Sequence, residues 1–125
     1  MGLPLKHAMT VDVEDYFHVA AFANVISPSE WHQWPNRVEA NTEVLLDLFD
    51  RKGIKITFFV LGWVAERYPQ LIKKLHANGH EIASHGYSHQ LIYKQSPEVF
   101  RDETANSKQI LEDIIQEPIR GYRAA

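Results

Sequence analysis

Short apolar segments typical of strands alternate with longer segments of helical periodicity, and this alternation limits the fold more than any other feature of the sequence. β-Branched and aromatic residues predict strands at residues 8–13, 54–61, 81–84 and 121–125. Helices are predicted at residues 37–51, at residues 63–78 with a break near Pro69, and from Ser96 to about Gln116. Such an alternation indicates an α/β fold with parallel strands, arranged either as an open sheet or as a barrel.

Acidic residues follow the first predicted strand, and two histidines follow the third. The acids are Asp12, Glu14 and Asp15, and the histidines are His85 and His89. Because the carboxyl ends of parallel strands meet at one rim, we expect these groups to lie close together. Two imidazoles and a carboxylate can hold one divalent ion and leave positions open for water and substrate. Each group also has a simpler explanation, namely a solvated rim or helix caps for the acids and backbone-bonded loop histidines for the pair.

Charge and composition narrow the choice of partners. The sequence has a net charge of −3, scattered basic residues and no cysteine. These features exclude disulfides and thiolate metal sites, and they argue against a nucleic-acid partner. No apolar stretch is long enough to cross a bilayer and residues 1–9 lack a signal-peptide pattern, so a cytoplasmic protein is expected. The absence of repeats and linkers predicts a single domain over residues 1–125.

Four motifs occur in order along the chain: VDVED at 11–15, TFFVLG at 57–62, GHEIASHGYSH at 79–89 and GYR at 121–123. Together they resemble the polysaccharide deacetylase family, the NodB-homology domain of carbohydrate esterase family four. The opening VDVEDYFHV at 11–19 is most similar to the PEP-CTERM-associated branch, found near bacterial exopolysaccharide-export genes. The resemblance implies the N-terminal part of a distorted seven-stranded (β/α) barrel, incomplete in this chain.

The resemblance also implies an activity, which is metal-dependent removal of N-acetyl groups from an amino-sugar polysaccharide. One divalent ion is expected, either zinc or, alternatively, cobalt or nickel. In the preferred assignment, Asp15, His85 and His89 hold the ion and Glu14 is the general base. In the alternative assignment, Asp12 is the base and Glu14 is a metal ligand. The sequence leaves both assignments open.

The last of the four motifs, GYR at 121–123, implies a further role. The family's arginine at this point orients the catalytic acid, and it corresponds to Arg123. Gly86 stands where the family usually has a hydroxyl residue. Trp31 and Trp34 are expected either to stack on a sugar ring or to cover the barrel. No residue is assigned to substrate binding.

The family's later motifs, including the histidine that protonates the leaving amine, are absent from these residues. The sequence is therefore interpreted as a fragment of such a domain. By itself the fragment would have little or no activity, because losing one general acid typically lowers the rate by about 10²–10⁴-fold. Two other functions remain open. One is a cyclic amide hydrolase resembling the allantoinase-like relatives, and the other is a catalytically inactive carbohydrate-binding module.

Overall fold

The computed structural model describes residues 2–125, in which three parallel strands form one sheet in the order β1-β2-β3. The strands are β1 (Thr10–Val13), β2 (Thr57–Val60) and β3 (Glu81–Ser84). The α-helices of these residues are α1 (Val38–Lys52), α2 (Gly62–Arg67), α3 (Pro69–Ala77) and α4 (Pro97–Ile115). The predicted α/β class with parallel strands is confirmed. Met1, the first residue of the 1–9 segment that lacks a signal-peptide pattern, lies outside the described residues.

The ends of the helices follow from local chemistry. Gly53 ends α1 in the left-handed conformation, with φ of 64°. The predicted break near Pro69 is real, because α2 ends at Arg67 and Pro69 begins α3. Ser96 caps α4 by accepting a hydrogen bond from the Val99 N–H at 3.2 Å. In residues 2–125, no helix is both long and apolar enough to span a membrane.

The fourth predicted strand is much shorter than expected. Tyr122 forms a single parallel bridge with Ser84. The Ser84 N–H donates to the Gly121 carbonyl, and the Arg123 N–H donates to the Ser84 carbonyl, both at 2.9 Å. The end of the chain therefore lies beside β3 and starts to extend the sheet without forming a regular strand.

An aromatic-rich segment connects β1 to α1. It contains three short 3₁₀ helices, at Tyr16–His18, Ala20–Phe22 and Pro28–Gln33. Trp31 is buried against Phe17, His18 and Trp63. Trp31 therefore covers the domain, whereas Trp34 is 42% exposed.

The core lies under the sheet, where Phe58 and Val60 of β2 are fully buried. Strand alternation turns Phe59 of β2 to the other face, where it is partly exposed beneath the Arg123 guanidinium. Gly62 opens α2 where no side chain fits, because a Cβ atom there would lie 2.6 Å from the Tyr87 ring. This close approach lets α2 pack directly against the loop that follows β3.

Candidate metal centre

The register of the sheet brings the predicted site residues to one rim. Val13 pairs with Val60, and Val60 pairs with Ser84, so the three strands end level with one another. Glu14 and His85 are the next residues after β1 and β3. The rim predicted from the strand order is therefore where the structure places them.

Glu14, His85 and His89 converge at this rim. Glu14 Oε2 lies 3.3 Å from His85 Nε2 and 2.9 Å from His89 Nε2, and one ligand atom from each of the three residues lies within 4.8 Å of the others. Glu14 Oε2 is buried, yet no group of residues 2–125 makes a well-aligned hydrogen bond to it. Two nitrogens and one oxygen that meet without hydrogen-bond geometry form a donor set suited to a divalent ion such as zinc.

His85 is held in the orientation that such an ion requires. Its backbone N–H donates to the Val60 carbonyl, and its Nδ1 lies 2.9 Å from the Arg123 carbonyl oxygen. Because a carbonyl only accepts, Nδ1 carries a proton, and in the neutral ring that can bind a metal the lone pair of Nε2 faces the site. A backbone carbonyl is a common outer partner of metal-binding histidines.

His89 is fixed by its loop. Its backbone has φ of 54°, a value that residues other than glycine rarely adopt. The preceding residue, Ser88, donates its hydroxyl proton to Glu103 of α4 at 2.8 Å. The N–H groups of Gly62 and Trp63 at the start of α2 donate to the carbonyls of residues 86 and 87. Neighbouring helices thus hold the His89 conformation in place.

The structure explains why glycine, and not a hydroxyl residue, is present at position 86. Gly86 has φ of 77°, in the left-handed region that favours glycine. A hydroxyl residue at this position would be strained, so the glycine is required by the backbone of this particular loop.

Asp15, the metal ligand of the preferred assignment, does not join the histidines. Its carboxylate instead accepts hydrogen bonds from the backbone N–H groups of Tyr16 at 3.0 Å, Arg37 at 2.8 Å and Val38 at 3.1 Å. Asp15 is 2% exposed and caps both the first 3₁₀ helix and the start of α1. The structure therefore differs from the preferred assignment, because the Asp15 carboxylate is hydrogen-bonded to backbone N–H groups. Glu14 is the acid that faces the imidazoles.

Asp12 and Arg123 form an ion pair beside the centre. The Arg123 guanidinium donates to Asp12 Oδ1 at 2.7 Å and to the Thr10 hydroxyl at 2.9 Å. Asp12 Oδ2 lies 3.9 Å from His85 Nε2. The acid that Arg123 contacts is thus Asp12 rather than Glu14, the base of the preferred assignment.

The charge state of Glu14 suits a ligand. Burial alone would raise its pKa, but the adjacent His85 and His89 imidazoles outweigh burial and lower the pKa to about 2. Glu14 is therefore ionised at neutral pH, as a carboxylate ligand must be.

His18 is a residue near the centre that the sequence did not identify. Its Nδ1 accepts a hydrogen bond from the Asp15 N–H at 2.7 Å, and the ring is 4% exposed between Phe17, Trp31 and Trp63. Burial lowers its pKa to about 4, against the attraction of the Glu14 charge. In the sequence, its position three residues after Asp15, where a side chain can cap a turn, is only weak evidence that His18 lies near the centre.

The lowered pKa of His18 predicts that the stability of the fold depends on pH. The folded protein keeps this imidazole neutral down to about pH 4, whereas the unfolded chain binds a proton below its ordinary pKa of 6.5. The unfolded state therefore holds more protons between these values, and His18 alone should lower the free energy of unfolding by about 3 kcal/mol as the pH drops from 6.5 to 4. Urea unfolding at several pH values measures this slope.

His18→Asn is the control for this slope, because an amide oxygen can replace Nδ1 as the acceptor without titrating. The variant should unfold at lower urea at pH 7 but lose about 3 kcal/mol less on acidification. An equal acid dependence in both proteins would contradict the assignment to His18.

Comparison with known proteins identifies the family. The model of the family described as Polysaccharide deacetylase matches residues 31–125. A peptidoglycan-N-acetylglucosamine deacetylase of Bacillus cereus is 34% identical over 70 residues, covering 56% of this chain and 26% of that protein. A chitooligosaccharide deacetylase of Bradyrhizobium sp. is 30% identical over 70 residues, covering 56% and 32%.

A crystal structure supports the same relationship. The structure of a peptidoglycan N-acetylglucosamine deacetylase in complex with a hydroxamate-type benzamide matches with a TM-score of 0.71 and 25% identity, over 94% of this chain and 44% of that chain. The chain spans about a quarter to a third of the length of the two curated relatives. The family match covers well over half of the sequence and includes both histidines and Arg123. The chain therefore belongs to the polysaccharide deacetylase family.

Proposed function

We propose that the complete protein is a metal-dependent hydrolase that removes N-acetyl groups from an amino-sugar polymer. The observation that carries this proposal is the convergence of Glu14, His85 and His89 at the carboxyl ends of the strands. The relatives named as a peptidoglycan-N-acetylglucosamine deacetylase and a chitooligosaccharide deacetylase support a glycan substrate bearing N-acetyl groups. The VDVEDYFHV segment supports the finer proposal of an exopolysaccharide as the polymer.

Glu14, His85 and His89 fit one divalent ion, which we propose to be zinc, with cobalt or nickel as alternatives. The unpartnered Glu14 Oε2 and the orientation of His85 support this fit. A bound ion of this kind polarises a carbonyl group and makes water more acidic. Three protein ligands leave room for both water and substrate.

We assign the general base to Asp12, which is the alternative assignment from the sequence. Its carboxylate lies at the rim and is hydrogen-bonded to Arg123. Asp12 would accept a proton from the water that attacks the acetyl carbonyl, while Arg123 keeps the carboxylate in place. Asp15 contributes by holding the backbone on which Glu14 is carried.

The test is acetate release from N-acetylglucosamine oligomers by the complete protein. Asp12→Asn should lower kcat by at least about 100-fold and retain the metal, because only the base is lost. His85→Ala should lose both metal and activity. Asp113→Asn, on the exposed side of α4, should leave both unchanged.

Two outcomes of this test would contradict the proposal. Acetate release that persists in His85→Ala would exclude this centre as the site of reaction. Glycan binding without acetate release by the metal-loaded protein would support an inactive binding module instead.

A further inference from the structure

The loop at residues 88–95 joins the metal centre to α4, and one side chain of α4 holds both of its ends. The Ser88 hydroxyl donates to Glu103 Oε1 at 2.8 Å, and the Gln95 side-chain amide donates to Glu103 Oε2 at 2.9 Å. All three side chains are half-buried. Hydrogen bonds to an ionised acceptor are about twice as strong as those between neutral groups, so the carboxylate is a firm anchor for this loop.

The loop has few other polar connections to the rest of the molecule. Within the part of the chain that the structure describes, the only further polar contact that leaves residues 88–95 joins His89 to Glu14 at the metal centre. The remaining backbone hydrogen bonds of the loop lie within the loop itself. The position of the loop relative to α4 therefore depends on Glu103 and on apolar packing.

The two histidines of the centre are held in different ways. His85 Nδ1 lies 2.9 Å from the Arg123 carbonyl oxygen, and this hydrogen bond fixes the imidazole ring directly. His89 Nδ1 is buried and has no hydrogen-bond partner among residues 2–125. The orientation of the His89 ring therefore depends on its backbone, which has φ of 54°. Residues other than glycine keep such a conformation only where their surroundings hold it.

We propose that Glu103 is a positioning residue of the metal centre. Through Ser88, its carboxylate fixes the backbone that presents His89, as the Arg123 carbonyl fixes the ring of His85. The inference deepens the proposed function and rests on it, because a positioning role requires that the centre bind a metal ion.

The test is the zinc affinity of three variants, measured by competition with a chromophoric chelator at neutral pH. Loss of an outer partner of a metal ligand costs about 10–100-fold in affinity, and Glu103 acts one residue away from the ligand. Glu103→Ala should therefore raise the dissociation constant by about tenfold, at the lower end of this range. Ser88→Ala should raise it by about three- to tenfold, since the bond from Gln95 remains.

Asp102→Ala is the matched control, because it removes an exposed acid from the same helix beside Glu103. It takes away the same charge and leaves the bonds to the loop intact, so its zinc affinity should be unchanged. An equal loss of affinity in Asp102→Ala and Glu103→Ala would reduce the effect to charge alone and overturn the inference.

A double-mutant cycle tests whether Glu103 acts through Ser88. The combined variant Ser88→Ala/Glu103→Ala should bind zinc about as weakly as Glu103→Ala, because both substitutions break the same hydrogen bond. Losses that add in full would mean that the two residues act independently, and they would overturn the proposed route.

A rescue variant separates positioning from a general effect on stability. In Gln95→Glu/Glu103→Gln the acid and the amide change places. The amide oxygen can still accept from Ser88, and its NH₂ group can donate to the carboxylate opposite. This variant should bind zinc within about threefold of the unchanged protein. Glu103→Gln alone sets two amide donors against each other and should bind more weakly.

Failure of the inference can be told apart from failure of the proposed function. If the unchanged protein binds zinc and Glu103→Ala binds it equally well, the positioning role is overturned and the proposed centre stands. If the unchanged protein binds no zinc, both are overturned together. Circular dichroism checks the fold of each variant, and if Glu103→Ala does not fold, Ser88→Ala supplies the same comparison because it removes only a hydroxyl.

Discussion

Replacing Glu14 with glutamine is expected to weaken zinc binding by more than about 100-fold. The loss of an outer partner of a metal ligand already costs about 10–100-fold, and Glu14 supplies a ligand oxygen and a negative charge. The neutral amide retains the shape of the side chain, so the effect isolates the charge. Competition with a chromophoric chelator at neutral pH measures the affinity.

Asp15→Asn is the matched control, because it makes the same chemical change one residue further along the chain. Its zinc affinity should stay close to that of the unchanged protein, since the Asp15 carboxylate faces backbone N–H groups. The reverse pattern, with zinc binding lost in Asp15→Asn and retained in Glu14→Gln, would return the ligand role to Asp15. Circular dichroism of both variants checks that each is folded.

The position of the centre could be predicted from the sequence because it depends on strand order alone. Parallel strands place Glu14 and His85 at one rim whatever the details of the intervening helices. Strand alternation also places Asp12 and Glu14 on one face and Asp15 on the other. Asp15 could join the histidines only by curling over the rim, but Asp15 has φ of −100° and ψ of 164°. The chain is still extended there, so the alternation continues through Asp15.

The partners of Asp15 and His18 could not be predicted because they depend on contacts between distant parts of the chain. The Asp15 carboxylate accepts a hydrogen bond from the N–H of Arg37, 22 residues further along the chain. The segment between them is irregular, and no periodic sequence pattern describes its path. His18 is enclosed by aromatic rings from that same segment and from α2. Hydrophobic periodicity predicts the faces of regular elements, but it carries no information about how such a segment folds over them.

Replacing Asp15 with alanine is expected to lower the free energy of unfolding by about 3–5 kcal/mol. Its carboxylate accepts three backbone hydrogen bonds and places a negative charge at the N-terminus of α1, where the helix dipole favours an anion. Hydrogen bonds to a charged group are worth about 1.5–3 kcal/mol each, but the partly buried N–H groups of Tyr16 and Arg37 can bond to water in the variant, so the loss should be smaller than the sum of three bonds. The buried Val38 N–H would be left without a partner. Domains of this kind are stable by only about 5–15 kcal/mol, so the loss should be large in urea unfolding.

Asp47→Ala is the matched control, because it removes an exposed carboxylate from the same helix. Asp47 pairs with Arg51 one turn further on at 3.0 Å, and its loss should change the unfolding free energy by less than about 1 kcal/mol. Equal effects of the two substitutions would mean that the Asp15 hydrogen bonds contribute little, and they would leave that carboxylate free for another role. A large loss confined to Asp15→Ala, together with zinc binding retained in Asp15→Asn, would assign adjacent acids to separate tasks: Glu14 to the metal and Asp15 to the backbone that carries it.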